Sequence, residues 1–143
     1  MKRFLFYLFL SLPVLVSCKK NEVQKEKSTT DIAKTEARSQ VKIVPISHAT
    51  AVLKIENETI FLDPTGTKAT FEKFGMPTYI LITDIHGDHM SLKTLNELDL
   101  SNTILIAPKA VADNLQALNV KSMEIINNGE SKDFSSFGVE AIP

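Results

Sequence analysis

The sequence predicts an α/β domain in which helices pack on a β-sheet, and three observations indicate this class. Three short strand-like segments between residues 41 and 62 are separated by polar turns, which is typical of an antiparallel meander. A continuous apolar run from Tyr79 to Ile82 has the pattern of a strand buried on both faces. After this run, strand-like and helix-like segments alternate, as they do in α/β architectures.

The first 17 residues are predicted to be a signal peptide. Two basic residues precede an apolar block from Phe4 to Val16, which is shorter than the roughly 20 residues that a membrane-spanning helix needs. The end of this segment, Leu15-Val16-Ser17-Cys18, resembles the bacterial lipobox, which implies cleavage before Cys18 and lipidation of that cysteine. The alternative is a plain signal peptide or a short anchor in which the cysteine is incidental.

Residues 18–40 are predicted to be the lipidated cysteine followed by a flexible tether. The segment is rich in Lys, Glu, Ser and Thr and has no aromatic residue, so it cannot bury enough apolar surface to fold alone. Together with the lipobox, it predicts a protein anchored to a membrane of the bacterial cell envelope through Cys18, on the periplasmic or extracytoplasmic side. Cys18 is the only cysteine, which excludes an intramolecular disulfide.

The charge balance argues against one class of partner. From Val41 onward the chain has eight basic and 13 acidic residues. Because phosphate contacts need clustered Lys and Arg, we do not expect this domain to bind nucleic acid.

The opening meander places two polar residues where they could meet. We predict strands at Val41 to Ile46, Ala51 to Ile55 and Thr59 to Leu62, so that the first turn, which holds His48, and the end of the third strand, which holds Asp63, lie at the same edge. Either side chain could line a functional site. Equally, His48 could be a hydrogen-bonding structural residue, and Asp63 could simply end its strand.

The strongest functional signal follows the buried run. Within the segment 83–89, Thr-Asp-Ile-His-Gly-Asp-His, four side chains can bind a metal: Asp84, His86, Asp88 and His89. Imidazole nitrogens and carboxylate oxygens are good ligands for Zn²⁺ and related divalent ions, and a cation relieves the repulsion between neighbouring carboxylates. The alternative is a polar turn at the end of a strand that binds no metal.

The rest of the domain continues the α/β pattern. Ala69 to Phe74 could form a short helix, and Ser91 can cap a helix whose Leu92, Leu95 and Leu98 are predicted to be core residues. Further predictions are a strand at Thr103 to Ala107, a helix from Lys109 to Leu118, a strand at Met123 to Ile126, a turn at 127–130 and β structure to the end.

Residues 83–89 resemble the T-H-x-H-x-D-H loop of the metallo-β-lactamase superfamily, with Asp84 at the position of the first histidine. Ile46-Ser47-His48-Ala49-Thr50 and Thr59-Ile60-Phe61-Leu62-Asp63-Pro64 are similar to the opening motifs of its lactonase-like branch. The resemblance covers roughly residues 41–143. It implies the N-terminal half of the αβ/βα four-layer sandwich of that superfamily, with the second half absent from this chain.

The resemblance also implies a function. It implies a hydrolase, lactonase-like or phosphoesterase-like, in which one or two divalent ions activate water to attack a small-molecule substrate. His86 and His89 would be metal ligands, and Asp88 would be both a ligand and the catalytic residue. Zinc is the expected ion; if Asp84 is a direct ligand, its oxygen favours Mn²⁺ or Mg²⁺. Asp84 could instead hold the imidazole of a metal ligand in place without binding the metal itself.

The resemblance raises one difficulty. Relatives carry a second half with further metal ligands, whereas here no histidine follows His89. We therefore expect either a fragment of a longer protein or a truncated gene product, which could form a homo-oligomer that supplies the missing layer. The alternative function is a lipid-anchored, non-catalytic protein that binds metal weakly or serves as a scaffold.

Overall fold

A computed structural model describes residues 40–143 of the protein. The predicted signal peptide, Cys18 and all but the last residue of the tether lie outside the described residues. Eight strands and three short helices follow one another in this part of the chain: β1 Val41–Ser47, β2 Thr50–Ile55, β3 Glu58–Leu62, α1 Lys68–Glu72, β4 Tyr79–Leu81, α2 Leu92–Glu97, β5 Ile104–Ala107, α3 Lys109–Asn114, β6 Ser122–Ile125, β7 Ser131–Asp133 and β8 Gly138–Glu140. Within residues 40–143, no helix combines the length and apolar character needed to cross a bilayer.

The first six strands form one sheet in sequence order. β1, β2 and β3 pair antiparallel, and β3 to β6 pair parallel. The carboxyl ends of the parallel strands therefore meet at one edge of the sheet. Ala51 pairs with Leu62, so the β1–β2 turn reaches the same edge. The sheet thus brings the turn with His48 and the end of β3 to the edge at which β4 enters the polar loop 83–89, as the meander predicted.

Both faces of the sheet carry buried side chains. On one face, the strand residues Val52, Phe61, Ile80 and Leu105 pack with helix residues of α1, α2 and α3, among them Phe71, Leu95 and Val111. On the other face, the small sheet of β7 and β8 brings two phenylalanines onto Tyr79. The rings of Phe134 and Phe137 meet that of Tyr79 edge-on, with centroids 5.4 and 4.9 Å away. Part of this face of the sheet is therefore covered from within the domain.

Two predicted details differ from the structure. Leu92 was expected in the core with Leu95, but it is 48% exposed, whereas Leu95 is buried. The reason is the length of α2: six residues make fewer than two turns, and only Thr94 and Leu95 of this helix are buried. The helix predicted to reach Leu118 ends as α3 at Asn114, because tighter turns take over from there, with the amide of Leu115 donating to the carbonyl of Ala112.

Candidate metal centre

The polar loop between β4 and α2 is a compact turn. The backbone N–H groups of His89 and Met90 both donate to the carbonyl of His86, at 3.0 and 2.8 Å. At the end of the loop, the Ser91 hydroxyl accepts a hydrogen bond from the N–H of Thr94 and caps α2, as predicted. The backbone hydrogen bonds at the two ends therefore set the course of the loop.

One end of the site is built on Asp63, which directly follows β3 and is almost completely buried. Its carboxylate accepts hydrogen bonds from the Thr83 N–H and the Thr83 hydroxyl, both at 2.8 Å, and lies 2.9 Å from Nδ1 of His89. Its backbone has φ +42°, a left-handed conformation that costs free energy for a residue other than glycine. Asp63, which had two interpretations from sequence, thus lies against a predicted metal ligand.

The other imidazole of the loop has a carboxylate partner of its own. Oδ1 of Asp84 lies 2.5 Å from Nδ1 of His86 and also accepts the His86 backbone N–H at 3.0 Å. Both side chains are open to solvent, with 46% of Asp84 and 74% of His86 exposed. This pair is therefore held by local geometry rather than by the core.

Asp88 completes the loop. Its carboxylate lies 3.8 Å from Nε2 of His89, on the ring nitrogen that Asp63 does not contact, and 64% of the Asp88 side chain is exposed. An imidazole nitrogen and a carboxylate oxygen at this separation can ligate one ion after a small adjustment of the exposed side chain. His89 therefore lies between the buried Asp63 carboxylate at Nδ1 and the accessible Asp88 carboxylate near Nε2.

The pKa values of two of these groups shift. The pKa of His89 is raised above its ordinary value, mainly because its ring donates a hydrogen bond to Asp63, while partial burial acts in the opposite direction. The pKa of the Asp84 carboxyl is lowered, mainly by the hydrogen bond from the backbone N–H of His86. Hydrogen bonds within the site are therefore the main cause of both pKa shifts.

The β1–β2 turn contributes differently from what the sequence suggested. His48 lies at the same sheet edge, but its side chain is exposed and its backbone is left-handed, with φ +45°. Thr50, two residues later, is buried, and its hydroxyl donates to the carbonyl of Asp63 at 2.6 Å. Sequence reasoning missed Thr50, although its position beside His48 in the same short motif was the available signal.

The donor atoms suit a divalent cation in pairs. His89 with Asp88, and His86 with Asp84, each combine an imidazole and a carboxylate, which is ligand chemistry suited to Zn²⁺ and similar ions. Among residues 40–143, no three potential ligand residues converge on one point. Catalytic zinc sites commonly have three protein ligands and a water, so each pair fits as part of a coordination sphere.

Comparisons with known proteins identify solved structures that share the fold of this domain. No family model and no curated protein matches the chain. A candidate metal-dependent hydrolase from Parabacteroides distasonis superposes with a TM-score of 0.61 at 27% identity, over 73% of this chain and 46% of that one. CmlA, a diiron β-hydroxylase from Streptomyces venezuelae, gives a TM-score of 0.57 at 20% identity, over 73% and 24% of the two chains. Igni18, a metallo hydrolase from the archaeon Ignicoccus hospitalis, gives 0.53 at 16% identity, over 66% and 42%.

The domain therefore shares its fold with metal-dependent enzymes, two of them described as hydrolases and one as a diiron enzyme. This confirms the predicted mixed α/β class. The chain spans less than half the length of each of these three proteins.

Proposed function

We propose that this protein is a metal-dependent hydrolase that uses metal-activated water on a small-molecule lactone or phosphoester. The observation that carries the proposal is the arrangement around His89, whose Nε2 lies 3.8 Å from the Asp88 carboxylate while Nδ1 is engaged by buried Asp63. A carboxylate–imidazole pair of this kind is the usual way in which a protein orients a metal-binding histidine. The fold shared with metal-dependent hydrolases adds support.

The roles of the loop residues follow from their placement. When bound, a divalent cation lowers the pKa of a coordinated water towards about 7 and polarises the oxygen of the substrate. His89, through Nε2, would hold a cation together with Asp88, and His86 would contribute to the same or a second metal position. Asp88, which is exposed beside His89, would also accept a proton from the attacking water. We propose zinc as the cation, with Mn²⁺ or Mg²⁺ as the alternatives if Asp84 supplies an oxygen ligand.

Of the two roles considered for Asp84, positioning has the better geometric support. Its Oδ1 is paired with Nδ1 of His86 at 2.5 Å, so Nε2 of that ring remains available to bind a cation. A carboxylate in this position raises the basicity of the imidazole that it holds. We therefore propose that Asp84 orients His86 and that it becomes a ligand only if it releases that ring.

The domain as described is proposed to be one half of an αβ/βα four-layer sandwich. The support is the extent of the structural match, which covers most of this chain but 46% of the hydrolase from Parabacteroides distasonis. We further propose that lipidated Cys18 anchors the protein to a membrane of the bacterial cell envelope, on the periplasmic or extracytoplasmic side. Membrane fractionation of wild type and Cys18→Ala tests the anchor; equal membrane retention of the two would contradict it.

The experiment that tests the function is metal binding by the full chain. After incubation with Zn²⁺ or Mn²⁺ and removal of free ion, elemental analysis should find bound metal in wild type and none in the Asp88→Ala/His89→Ala double variant. Asp113→Ala, at an exposed position paired with Lys109 on α3, is the control and should retain the metal. Equal metal content in the double variant and wild type would remove the basis of the proposal.

A metal-dependent turnover assay then separates an enzyme from a scaffold. Lactone, phosphodiester and β-lactam substrates are offered to the metal-loaded chain, and a hydrolase shows turnover that disappears with the double variant. Metal binding without turnover on any of these substrates would instead favour the lipid-anchored, non-catalytic alternative.

A further inference from the structure

We propose that the protein forms a homodimer through the outer edge of β1, which pairs antiparallel with β1 of a second copy. β1 is the first strand in the order of the six-stranded sheet, so one of its edges has no partner strand within residues 40–143. The contact is independent of the proposed metal chemistry, because β2 and β3 lie between β1 and β4, the strand that leads into the polar loop.

The hairpin of β2 and β3 determines which backbone groups of β2 face β1. Ile55 pairs with Glu58 across a two-residue turn, and the pair that closes such a turn is hydrogen-bonded, so the N–H and C=O of Ile55 point towards β3. Thr59 agrees with this, since its own N–H and C=O bond on the opposite side, to Thr78. Backbone groups alternate in direction along a strand, and those of Lys54 therefore point towards β1.

The same alternation shows what β1 presents at its open edge. Lys42 is the β1 partner of Lys54, so the backbone groups of Lys42 point inward to β2. Those of Val41, Ile43 and Pro45 consequently point outward. The place of Pro45 fits, because proline is found in sheets where its missing N–H would face solvent. The N–H groups of Val41 and Ile43 and the carbonyls of all three residues are thus directed at a further strand.

The side chains along this edge are apolar and accessible. Val41 is 49% exposed and Ile43 is 62% exposed. Both lie on the face of the sheet that carries Tyr79, because their partners Ile55 and Leu53 belong to the apolar cluster on that face. β1 is also the longest strand that the structure describes. A long edge strand with exposed apolar side chains is the kind of edge that pairs with another chain.

A two-fold axis at Ile43 gives a self-complementary register. A symmetric contact between identical strands is antiparallel, and here Ile43 exchanges both backbone hydrogen bonds with Ile43 of the second copy, while the N–H of Val41 donates to the carbonyl of Pro45. Lys42 then lies opposite Val44. Centring the pair on Lys42 makes as many hydrogen bonds within β1, but it places two lysines directly opposite each other, which is unfavourable. The register at Ile43 therefore fits the sequence of β1.

The first test is sedimentation equilibrium of the full chain carrying Cys18→Ser, which has no lipid and no other cysteine. We expect a concentration-dependent dimer. Ile43→Lys brings two like charges together at the axis and should raise the dimer Kd at least about tenfold. Met76→Lys, at a position that is 63% exposed and outside the strands, should leave the Kd unchanged. A monomer at every concentration, or equal Kd values for the two variants, would overturn the proposal.

Disulfide cross-linking of the same chain then tests the register. Ile43→Cys should cross-link to itself on oxidation, because opposite residues of a hydrogen-bonded pair have Cα atoms about 5.5 Å apart. Lys42→Cys should not, since its two copies are offset by roughly 6.6 Å along the strands in addition to the spacing between them. Leu53→Cys should not either, because three strand spacings, about 14 Å, separate its copies. Cross-linking at Leu53 would indicate that the open faces meet, and this result, or cross-linking at Lys42 in preference to Ile43, would overturn the proposal.

Discussion

Replacing Thr50 by valine tests whether the residues around the β1–β2 turn hold Asp63 in place at the candidate metal centre. Thr50 is 2% exposed, and its hydroxyl donates to the Asp63 carbonyl at 2.6 Å. The Thr50 hydroxyl oxygen also accepts the N–H of Thr65 at 3.3 Å and lies 2.8 Å from the Thr65 hydroxyl. Valine keeps the shape of threonine but removes all three interactions, so Asp63 is left with a buried carbonyl that has lost this donor.

The magnitude follows from that carbonyl. A buried polar group left without its partner costs about 1–3 kcal/mol, whereas Thr65 is only half-buried and can turn to water. We therefore expect Thr50→Val to lower the free energy of unfolding by about 1–3 kcal/mol. For a domain of this size, each kcal/mol lowers Tm by about 4–8 °C.

The assay is thermal and urea unfolding of the full chain, with Thr50→Ser as the matched control. Serine keeps the hydroxyl and loses one methyl group, which costs about 1 kcal/mol or less. If the valine and serine variants were equally stable, the hydroxyl would not hold Asp63, and the account of this sheet edge would be wrong. A fall in urea midpoint at constant m-value would show that stability, rather than the compactness of the unfolded chain, had changed.

Two further predictions concern the core and the effect of pH. Leu95→Ala should lower the free energy of unfolding in urea by about 2–5 kcal/mol, because Leu95 is 1% exposed. Leu92→Ala, at the exposed start of the same helix, should change it by less than about 0.5 kcal/mol. Equal effects of the two substitutions would contradict the burial pattern. Since the pKa of His89 is raised by Asp63, their pairing in metal-free protein stabilises the fold fully below about pH 6.5 and is lost as pH rises through the folded-state pKa. The unfolding midpoint with a chelator present should therefore carry a contribution that falls as the pH rises above about 6.5 in wild type and is absent in Asp63→Asn; superimposable pH profiles for the two proteins would refute it.

The sequence was informative wherever contacts are local or strictly periodic. The strand-like segments and polar turns of residues 41–62 predicted three strands within one residue of their observed bounds. The turn at 127–130 was predicted from its Asn-Gly pair, and Gly129 does adopt a left-handed backbone with φ +82°. Spacing was a weaker guide in α2, because periodicity places Leu92 and Leu95 on one stripe but does not reveal where a short helix leaves the sheet.

Contacts between distant residues could be anticipated only as neighbourhoods. Antiparallel pairing predicted that the β1–β2 turn and the end of β3 share an edge, but pairing cannot say which side chain of the turn reaches the strand end. Histidine drew attention because it titrates and binds metals. The residue that hydrogen-bonds to Asp63 from this side is Thr50, and a hydroxyl by itself does not mark a residue as functional in a sequence.

The same limit explains why one of the two carboxylate–imidazole pairs was anticipated and the other was not. Asp84 and His86 are two residues apart, and their proximity can be read directly from the loop, whereas Asp63 and His89 are separated by 26 residues and meet only through the sheet. Their energetic character also differs. The exposed pair is weakly held, because both side chains are open to solvent, which screens their interaction.

The buried pair has its ring direction set before any cation arrives, because the core supplies the rigidity. A cation that uses both imidazoles would therefore find His89 already oriented and would have to order His86. Substitution of Asp63, which pairs with His89, should consequently weaken cation binding more than substitution of Asp84, which pairs with His86. This order follows from the burial of Asp63. The short distance between Asp84 and His86 in the sequence would suggest the opposite order.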